Sequence, residues 1–380
     1  MGLPASPSLA WSNTLLADTP VVEYGNVYAF VRVLGDERIF SLSCFDLEDG
    51  SLVWSTPMSG TSQNMSFYSA PAVGDGKVLI VREGTEAVHL TAYDAMTGEG
   101  VWNYELSPTY KHYLSPVIVD DAVYMAQGPF ERDGEVVTHC TVIRLDLATG
   151  EEVWTRTLDE PAASHAAYAN DMLFVTRIHM YDGRTYISAL DADTGNVVWS
   201  ENIANEAYDM SCPVIIDGNV YVAVGANNAE YSYITRIICY DAETGDHIWA
   251  TTQDDSYHVG WHVFAAGGDF VIPTVMSEET TFTAYDAATG DVTWSHTFGD
   301  VIEGTSSTDD TIVCTWTSNP FAGTEDYDMH IGLFDIATRR FVETYTESMP
   351  GSDYWVSSWM PALAGDSIVV CLGAKLMCYN

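Results

Sequence analysis

Seven segments of the chain repeat one pattern: Phe45–Trp54, Tyr93–Trp102, Leu145–Trp154, Leu190–Trp199, Tyr240–Trp249, Tyr285–Trp294 and a degenerate copy, Phe334–Glu343. In the six intact copies an Asp is followed by Gly after four residues and by Trp after eight, and in five of the six a Thr precedes the Gly. The aspartates (Asp46, Asp94, Asp146, Asp191, Asp241, Asp286 and Asp335) lie 48, 52, 45, 50, 45 and 49 residues apart. An eighth copy is divided between the chain ends. The sequence stops at Cys378-Tyr379-Asn380, where the Asp should fall, and Leu9-Ala10-Trp11 supplies the tryptophan half. Eight units in 380 residues give about 47 residues each, the size of a small sheet that cannot bury its faces alone and must stack on its neighbours.

Each residue of the pattern has a mechanical job. The Asp accepts hydrogen bonds from backbone N–H groups of the turn that follows. The Gly supplies the positive φ of the bend, and the Thr bonds locally to the turn. An even offset returns the Trp to a consistent face, where it buries a large ring between units. The structural set is therefore Asp46, Gly50 and Trp54; Asp94, Gly98 and Trp102; Asp146, Gly150 and Trp154; Asp191, Gly195 and Trp199; Asp241, Gly245 and Trp249; Asp286, Gly290 and Trp294; and Trp11 of the divided copy. Upstream of the motifs, stretches such as 70–80, 115–125 and 212–222 read as an apolar run, a turn and a second apolar run. These predict strands A and B of each unit; the run before the Asp predicts strand C and the run around the Trp strand D. The expectation is an all-β chain with residues 1–380 as one domain: an eight-bladed β-propeller of four-stranded antiparallel blades. N- and C-terminal strands share the last blade and satisfy edges that would otherwise stay open.

Charge narrows the function. With 54 acidic and 14 basic side chains the net charge is −40, which excludes nucleic-acid binding and docking on anionic lipid, since both need clustered Lys and Arg. At 47% hydrophobic the chain is too apolar to be a disordered acidic tail. Acid is spread along the whole chain and lysine occurs only at Lys77, Lys111 and Lys375. Self-repulsion of that kind is relieved by salt, so a salt-rich habitat and an ordinary acidic proteome both fit. No run approaches the roughly 18 apolar residues of a membrane span. Met1–Ala10 lacks the basic start and apolar core of a signal peptide, leaving a cytoplasmic protein or a mature domain without its leader; an extracytoplasmic setting is the expectation. Seven cysteines with no CxxC and no vicinal pair suggest neither a zinc site nor a disulfide framework. Cys44, Cys239 and Cys378 recur two residues before the motif Asp position and read as small buried filler.

Asp-x-x-Thr-Gly-x-x-x-Trp at this period resembles the tryptophan-docking motif of pyrroloquinoline-quinone-like (PQQ-like) β-propeller repeats, and the resemblance covers essentially the whole chain. That family includes eight-bladed quinoprotein alcohol dehydrogenases, the β-barrel assembly-machinery lipoprotein BamB and extracellular sensor propellers. On the BamB side the resemblance implies a non-catalytic binding scaffold with no cofactor. On the dehydrogenase side it implies PQQ held with calcium, oxidising alcohols or sugars. The scaffold is the reading taken, because the chain is short and lacks the vicinal cysteine pair that many quinoproteins carry. The seventh copy departs from the motif, with Arg339 for Gly and Glu343 for Trp. Phe341 or Tyr345, of the same strand parity, is expected to stand in for the missing indole.

In a propeller the D–A and B–C loops gather on one face around the central funnel, the usual place for binding. The D–A connections carry His112, His165, Tyr208, Asp209, His258, Trp261, His262, Glu303, Trp355 and Trp359; the B–C loops add Phe130, Tyr181, Tyr231, Phe321 and Tyr327. One chemistry is a metal or polar-ligand site of His258 and His262 with His112 or His165 and a carboxylate, Asp209 or Glu303. The four-residue spacing of His258 and His262 converges only on a helix. The second is an aromatic face for a protein partner, a peptide or a sugar, anchored by Trp261, Trp355 and Trp359. Polar rim residues and rings that merely pack the loops remain open alternatives. No GxSxG, HExxH, P-loop or GxGxxG occurs. The expectation is a monomer that binds a protein partner or small ligand at the funnel.

Overall fold

The computed structural model describes residues 8–33, 39–58, 70–83, 88–106, 115–127, 131–132, 135–136, 139–159, 162–163, 166–179, 183–205, 207–227, 233–254, 263–276, 279–318, 327–349, 360–372 and 375–380. The blades are eight antiparallel sheets, each made of strands A to D from the funnel outward. Blade 1 consists of Leu16–Glu23, Asn26–Val33, Ile39–Asp46 and Leu52–Met58. Blades 2 to 7 follow in chain order over Ala72–Leu106, Val117–Asp159, Ala162–Ala204, Ala207–Asp254, Phe264–Phe298 and Ile302–Met349. In blades 4 and 5 strand A is broken into two segments, and blade 3 carries a small extra hairpin between its strands B and C. Blade 8 takes Ala362–Ala364, Ser367–Leu372 and Lys375–Tyr379 from the end of the chain and Leu9–Thr14 from its start. Ser12 faces Met377 across that seam, and Ser8 and Asn380 exchange backbone hydrogen bonds of 2.8 and 3.0 Å.

Among the described residues the core is divided rather than central. Eight separate apolar clusters each lie between two adjacent blades, one per joint. Strands B and C are sandwiched by both neighbours, so runs such as Ala122–Ala126 and Val220–Val224 are buried on both faces and read as continuous apolar stretches. Strand D is the outer edge, and it alternates: in Leu52–Met58 only Trp54 and Met58 are buried.

The C–D turn is set by the motif Asp. Oδ1 of Asp94 accepts the N–H groups of Met96 and Thr97 and the Thr97 hydroxyl at 2.9–3.0 Å. Thr149, Thr194 and Thr244 donate their hydroxyls to Asp146, Asp191 and Asp241 in the same way. These bonds favour the ionised form and hold Asp94, Asp146, Asp191, Asp241 and Asp286 below the ordinary carboxylate value. The motif glycines all have φ between +66 and +76°.

Six tryptophans reach from one blade to the next. Nε1 of Trp11, Trp54, Trp102, Trp154, Trp199 and Trp249 donates at 2.8–3.0 Å to the carbonyl of Leu47, Ala95, Leu147, Ala192, Ala242 and Ala287, in each case the residue after the next blade's motif Asp. The ring then lies flat on that blade's motif glycine. A Cβ added at Gly245 would sit 2.7 Å from Trp199, and one at Gly290 2.5 Å from Trp249. Within its own blade the indole needs space as well. The strand C residue opposite is Cys44, Ala92, Ala189, Cys239, Ala284 or Cys378 at six of the blades, which is why cysteine recurs two residues before the motif Asp.

Blade 7 departs from this plan. Arg339 takes the glycine position with φ +59°. Trp294 of blade 6 is 5% exposed, yet its Nε1 has no hydrogen-bond partner. Glu343 pairs with Leu333 where a tryptophan would stand. Of the two expected substitutes only Tyr345 reaches blade 8, its ring 5.0 Å from that of Tyr379. Phe341 instead packs on Trp316 of its own blade and Phe298 of blade 6, because the bulge at Leu333/Phe334 separates it from the docking position.

Candidate functional site

Strand order puts the A–B and C–D turns on one face of the ring and the D–A and B–C connections on the other, around the funnel. His112, His165, His258, Trp261, His262, Trp355 and Trp359 lie outside the described residues, as do Phe130, Tyr181, Tyr231 and Phe321. Tyr327 opens strand C of blade 7. Asp209 and Glu303, expected on loops, belong instead to the loop ends of inner strands, Ala207–Met210 of blade 5 and Ile302–Ser307 of blade 7. Apolar neighbours such as Met210 and Ile302 are buried against adjacent blades and carry these strands up to the funnel rim.

Both strands bulge there, Ala207–Asp209 against strand B of blade 5 and Ile302–Gly304 against strand B of blade 7. A bulge re-aims a side chain out of the regular alternation, and here it acts on Tyr208 and Glu303. Glu303 Oε1 accepts the Thr317 hydroxyl at 2.7 Å. Oδ1 of Asp209 accepts the N–H of Met210 at 2.9 Å. Tyr208 lies over Gly225, where an added Cβ would come within 3.0 Å of the ring, and meets Tyr233 edge-on at 5.6 Å and 87°. Tyr233 is 36% exposed, so the pair presents an aromatic edge beside a half-buried carboxylate. Sequence reasoning missed the role of Gly225, which faces Asp209 and leaves room for the bulged Tyr208; a glycine inside strand B is the signal that marks such a close approach.

Among the described residues no three His, Cys, Asp or Glu side chains converge on a position that could hold a metal ion. Asp209 and Glu303 stand on blades 5 and 7, with blade 6 between them, and each already accepts a hydrogen bond from the chain. The other seven candidates lie outside the described residues, so only these two carboxylates can be compared. The buried thiols are held in their neutral form. Burial pushes Cys44 and Cys140 up to about 12, and Cys239 and Cys378 up to about 11, so all four stay protonated at neutral pH.

A second set of contacts across the joints also escaped the sequence. At three joints the residue two beyond the docking tryptophan donates to the next blade's motif Gly carbonyl: Asn13 to Gly50 at 2.7 Å, Thr56 to Gly98 and Arg156 to Gly195 at 2.6 Å. Arg144 strengthens the same joint as Arg156 with a 2.9 Å bond to Asp193 and lies over the Tyr124 ring.

Eight four-stranded blades with this turn and this docking contact define a PQQ-like repeat propeller. A family model described as outer membrane protein assembly factor BamB matches residues 4–139, 138–254 and 234–380, and the chain belongs to that family. BamB of Yersinia pestis is 23% identical over 253 residues, covering 64% of this chain and 54% of the relative. A quinohemoprotein alcohol dehydrogenase of Comamonas testosteroni is 28% identical over 160 residues, but that match covers 39% of this chain and only 21% of the enzyme. The chain thus spans about a fifth of that enzyme and about half of that BamB. Among solved structures, BamB from Moraxella catarrhalis superimposes with a TM-score of 0.64 at 14% identity, covering 98% of this chain and 97% of that one, a likeness of fold. Among the described residues no helix is long and apolar enough to cross a membrane.

Proposed function

We propose that the protein is a non-catalytic scaffold that holds a protein partner on its funnel face, in an extracytoplasmic setting. The observation that carries this reading is the extent of the match. The BamB family model matches three segments that together run from residue 4 to residue 380. The Tyr208–Tyr233 pair beside Asp209 supports it, since tyrosine supplies contact area at low entropic cost. The test is in-cell crosslinking in the native host, comparing the wild type with a Tyr208→Ala/Tyr233→Ala variant of unchanged melting temperature. A protein crosslinked to the wild type and lost from the variant supports the scaffold. Equal crosslinking of both, or no crosslinked partner, refutes binding at this edge.

The dehydrogenase relatives favour a second reading, a PQQ-dependent oxidoreductase of alcohols or sugars. Adding PQQ and calcium separates the two: a bound-quinone absorbance band and dye-linked alcohol oxidation would establish the enzyme. The charge of −40 supports salt-rich surroundings. A melting temperature that rises with KCl up to about 1 M, well beyond simple Debye screening, agrees with this, and one that is flat or falls does not.

A further inference from the structure

We propose that blade 7 is the opening segment of the ring: its joints with blades 6 and 8 part before any other. Six of the eight joints carry the full latch, an indole N–H bonded to the next blade and a ring laid on its glycine. The joints on either side of blade 7 lack it, for two different reasons.

At the joint between blades 6 and 7 the donor is present and its seat is blocked. At every intact joint a Cβ on the motif glycine would overlap the docked indole. Arg339 has that Cβ, and it holds the left-handed φ of +59° that side-chain-bearing residues reach only at a cost. Trp294 therefore stops short of the Ile336 carbonyl, the counterpart of the six acceptors. Its buried Nε1 is left without a partner and its ring packs on Phe334 at 5.7 Å. A buried N–H that has lost its water and gained nothing weakens the packed state.

At the joint between blades 7 and 8 the donor is missing, because Glu343 stands where the tryptophan would. Beside their shared apolar cluster, these blades meet through the Tyr345–Tyr379 ring pair, a bond from the Ser306 hydroxyl to the Pro361 carbonyl, and an ion pair from Lys375 to Glu347 whose side chains are about one-third exposed. An exposed ion pair holds little and is screened by salt.

The chain ends meet inside blade 8, where Leu9–Thr14 pairs with Lys375–Tyr379, and the joint between blades 8 and 1 is fully latched. Trp11 bonds Leu47 at 2.8 Å and Asn13 bonds Gly50 at 2.7 Å. The weak place in the ring is therefore not where the polypeptide is interrupted. In an array whose units touch only their neighbours, the unit with the two weakest interfaces opens at the lowest free energy. Blade 7, an intact four-stranded sheet between two unlatched joints, is that unit. This inference stands apart from the scaffold reading and survives its failure.

Hydrogen exchange read by mass spectrometry on the full chain at neutral pH tests it. Amides in Thr311–Ser318 and Tyr327–Asp335 of blade 7 should exchange about tenfold faster than those in Asn219–Asn227 and Tyr233–Asp241 of blade 5. Arg339→Gly should seat Trp294 and slow exchange in blade 7 by about the same factor. Gly290→Arg, which carries the block to the joint between blades 5 and 6, should speed exchange in blade 6. Should that variant fail to fold, the comparison of wild type with Arg339→Gly still decides. Blade 7 exchanging as slowly as blade 5, or at the same rate with and without Arg339, overturns the proposal.

Discussion

Gly245→Ala separates the two demands placed on a motif glycine. Gly245 has φ +76° and lies under Trp199, so an added Cβ would sit 2.7 Å from the ring. Gly218, in the A–B turn of the same blade, has φ +81° with nothing within 4 Å of an added Cβ. Both alanines incur the left-handed backbone penalty of about 1–2 kcal/mol. Only Gly245→Ala also displaces an indole. Overpacking of that kind costs about 1–3 kcal/mol. Loss of the 2.9 Å bond from Trp199 Nε1 to Ala242 leaves a buried donor unsatisfied, for about 1–3 kcal/mol more. Because one movement of the ring relieves part of the overlap, the excess of Gly245→Ala over Gly218→Ala should be about 2–4 kcal/mol. Urea unfolding followed by tryptophan fluorescence and circular dichroism measures it. In a Trp199→Leu background, where the ring is gone, the excess should vanish. Equal destabilisation by the two alanines, or an excess that persists without Trp199, would show that the glycine is there for its backbone alone.

Further consequences can be checked with similar means. Removing residues 1–16 takes away the outer strand of blade 8 and both contacts of Trp11 and Asn13; the melting temperature should fall by several degrees, and an unchanged value refutes the shared blade. The motif aspartates are ionised below their ordinary value of 3.8 in the folded chain. Their contribution is therefore complete above that value and is lost as pH falls through the lower folded values, so acid melts followed by circular dichroism should lose stability only below about pH 4. Replacing Asp94, Asp146, Asp191 and Asp286 by Asn should flatten that decline. Iodoacetamide at pH 8 should leave Cys44, Cys140, Cys239 and Cys378 unmodified in the native protein, because buried thiols near 11 to 12 carry almost no thiolate; rapid labelling of any of them contradicts their placement. Arg156→Ala should cost about 1–2 kcal/mol, more than Arg339→Ala, because it removes the bonds to Gly195 and Asn196 across a latched joint.

The fold was legible because its signal is repeated and mechanical. Asp94, Gly98 and Trp102 sit at fixed offsets in a turn whose hydrogen bonds and positive φ favour those residue types, and the copy split between Trp11 and Asn380 located the shared blade. Contacts that use variable side chains were not legible. Asn13, Thr56 and Arg156 all reach a motif Gly carbonyl but share no residue type, so no pattern marks them. Blade 7 was half legible. Arg339 and Glu343 announced a departure, but the choice of Tyr345 over Phe341 depends on a bulge that the alternation does not show. Of the nine candidate funnel residues, Asp209 and Glu303 fall among the described residues, and both were expected on loops. Bulges place them instead at the loop ends of inner strands, a local irregularity that composition does not reveal.

Closure of the ring by its own chain ends is most directly tested by one crosslink. Ser12 and Met377 are directly opposed in blade 8, and facing residues in antiparallel strands have Cα atoms about 4.5–5.5 Å apart, within reach of a disulfide. A Ser12→Cys/Met377→Cys variant, oxidised and digested without reduction, should yield an N-terminal peptide joined to a C-terminal one from a single monomeric chain. Finding the two cysteines joined only between separate molecules, or not at all, would contradict the shared eighth blade.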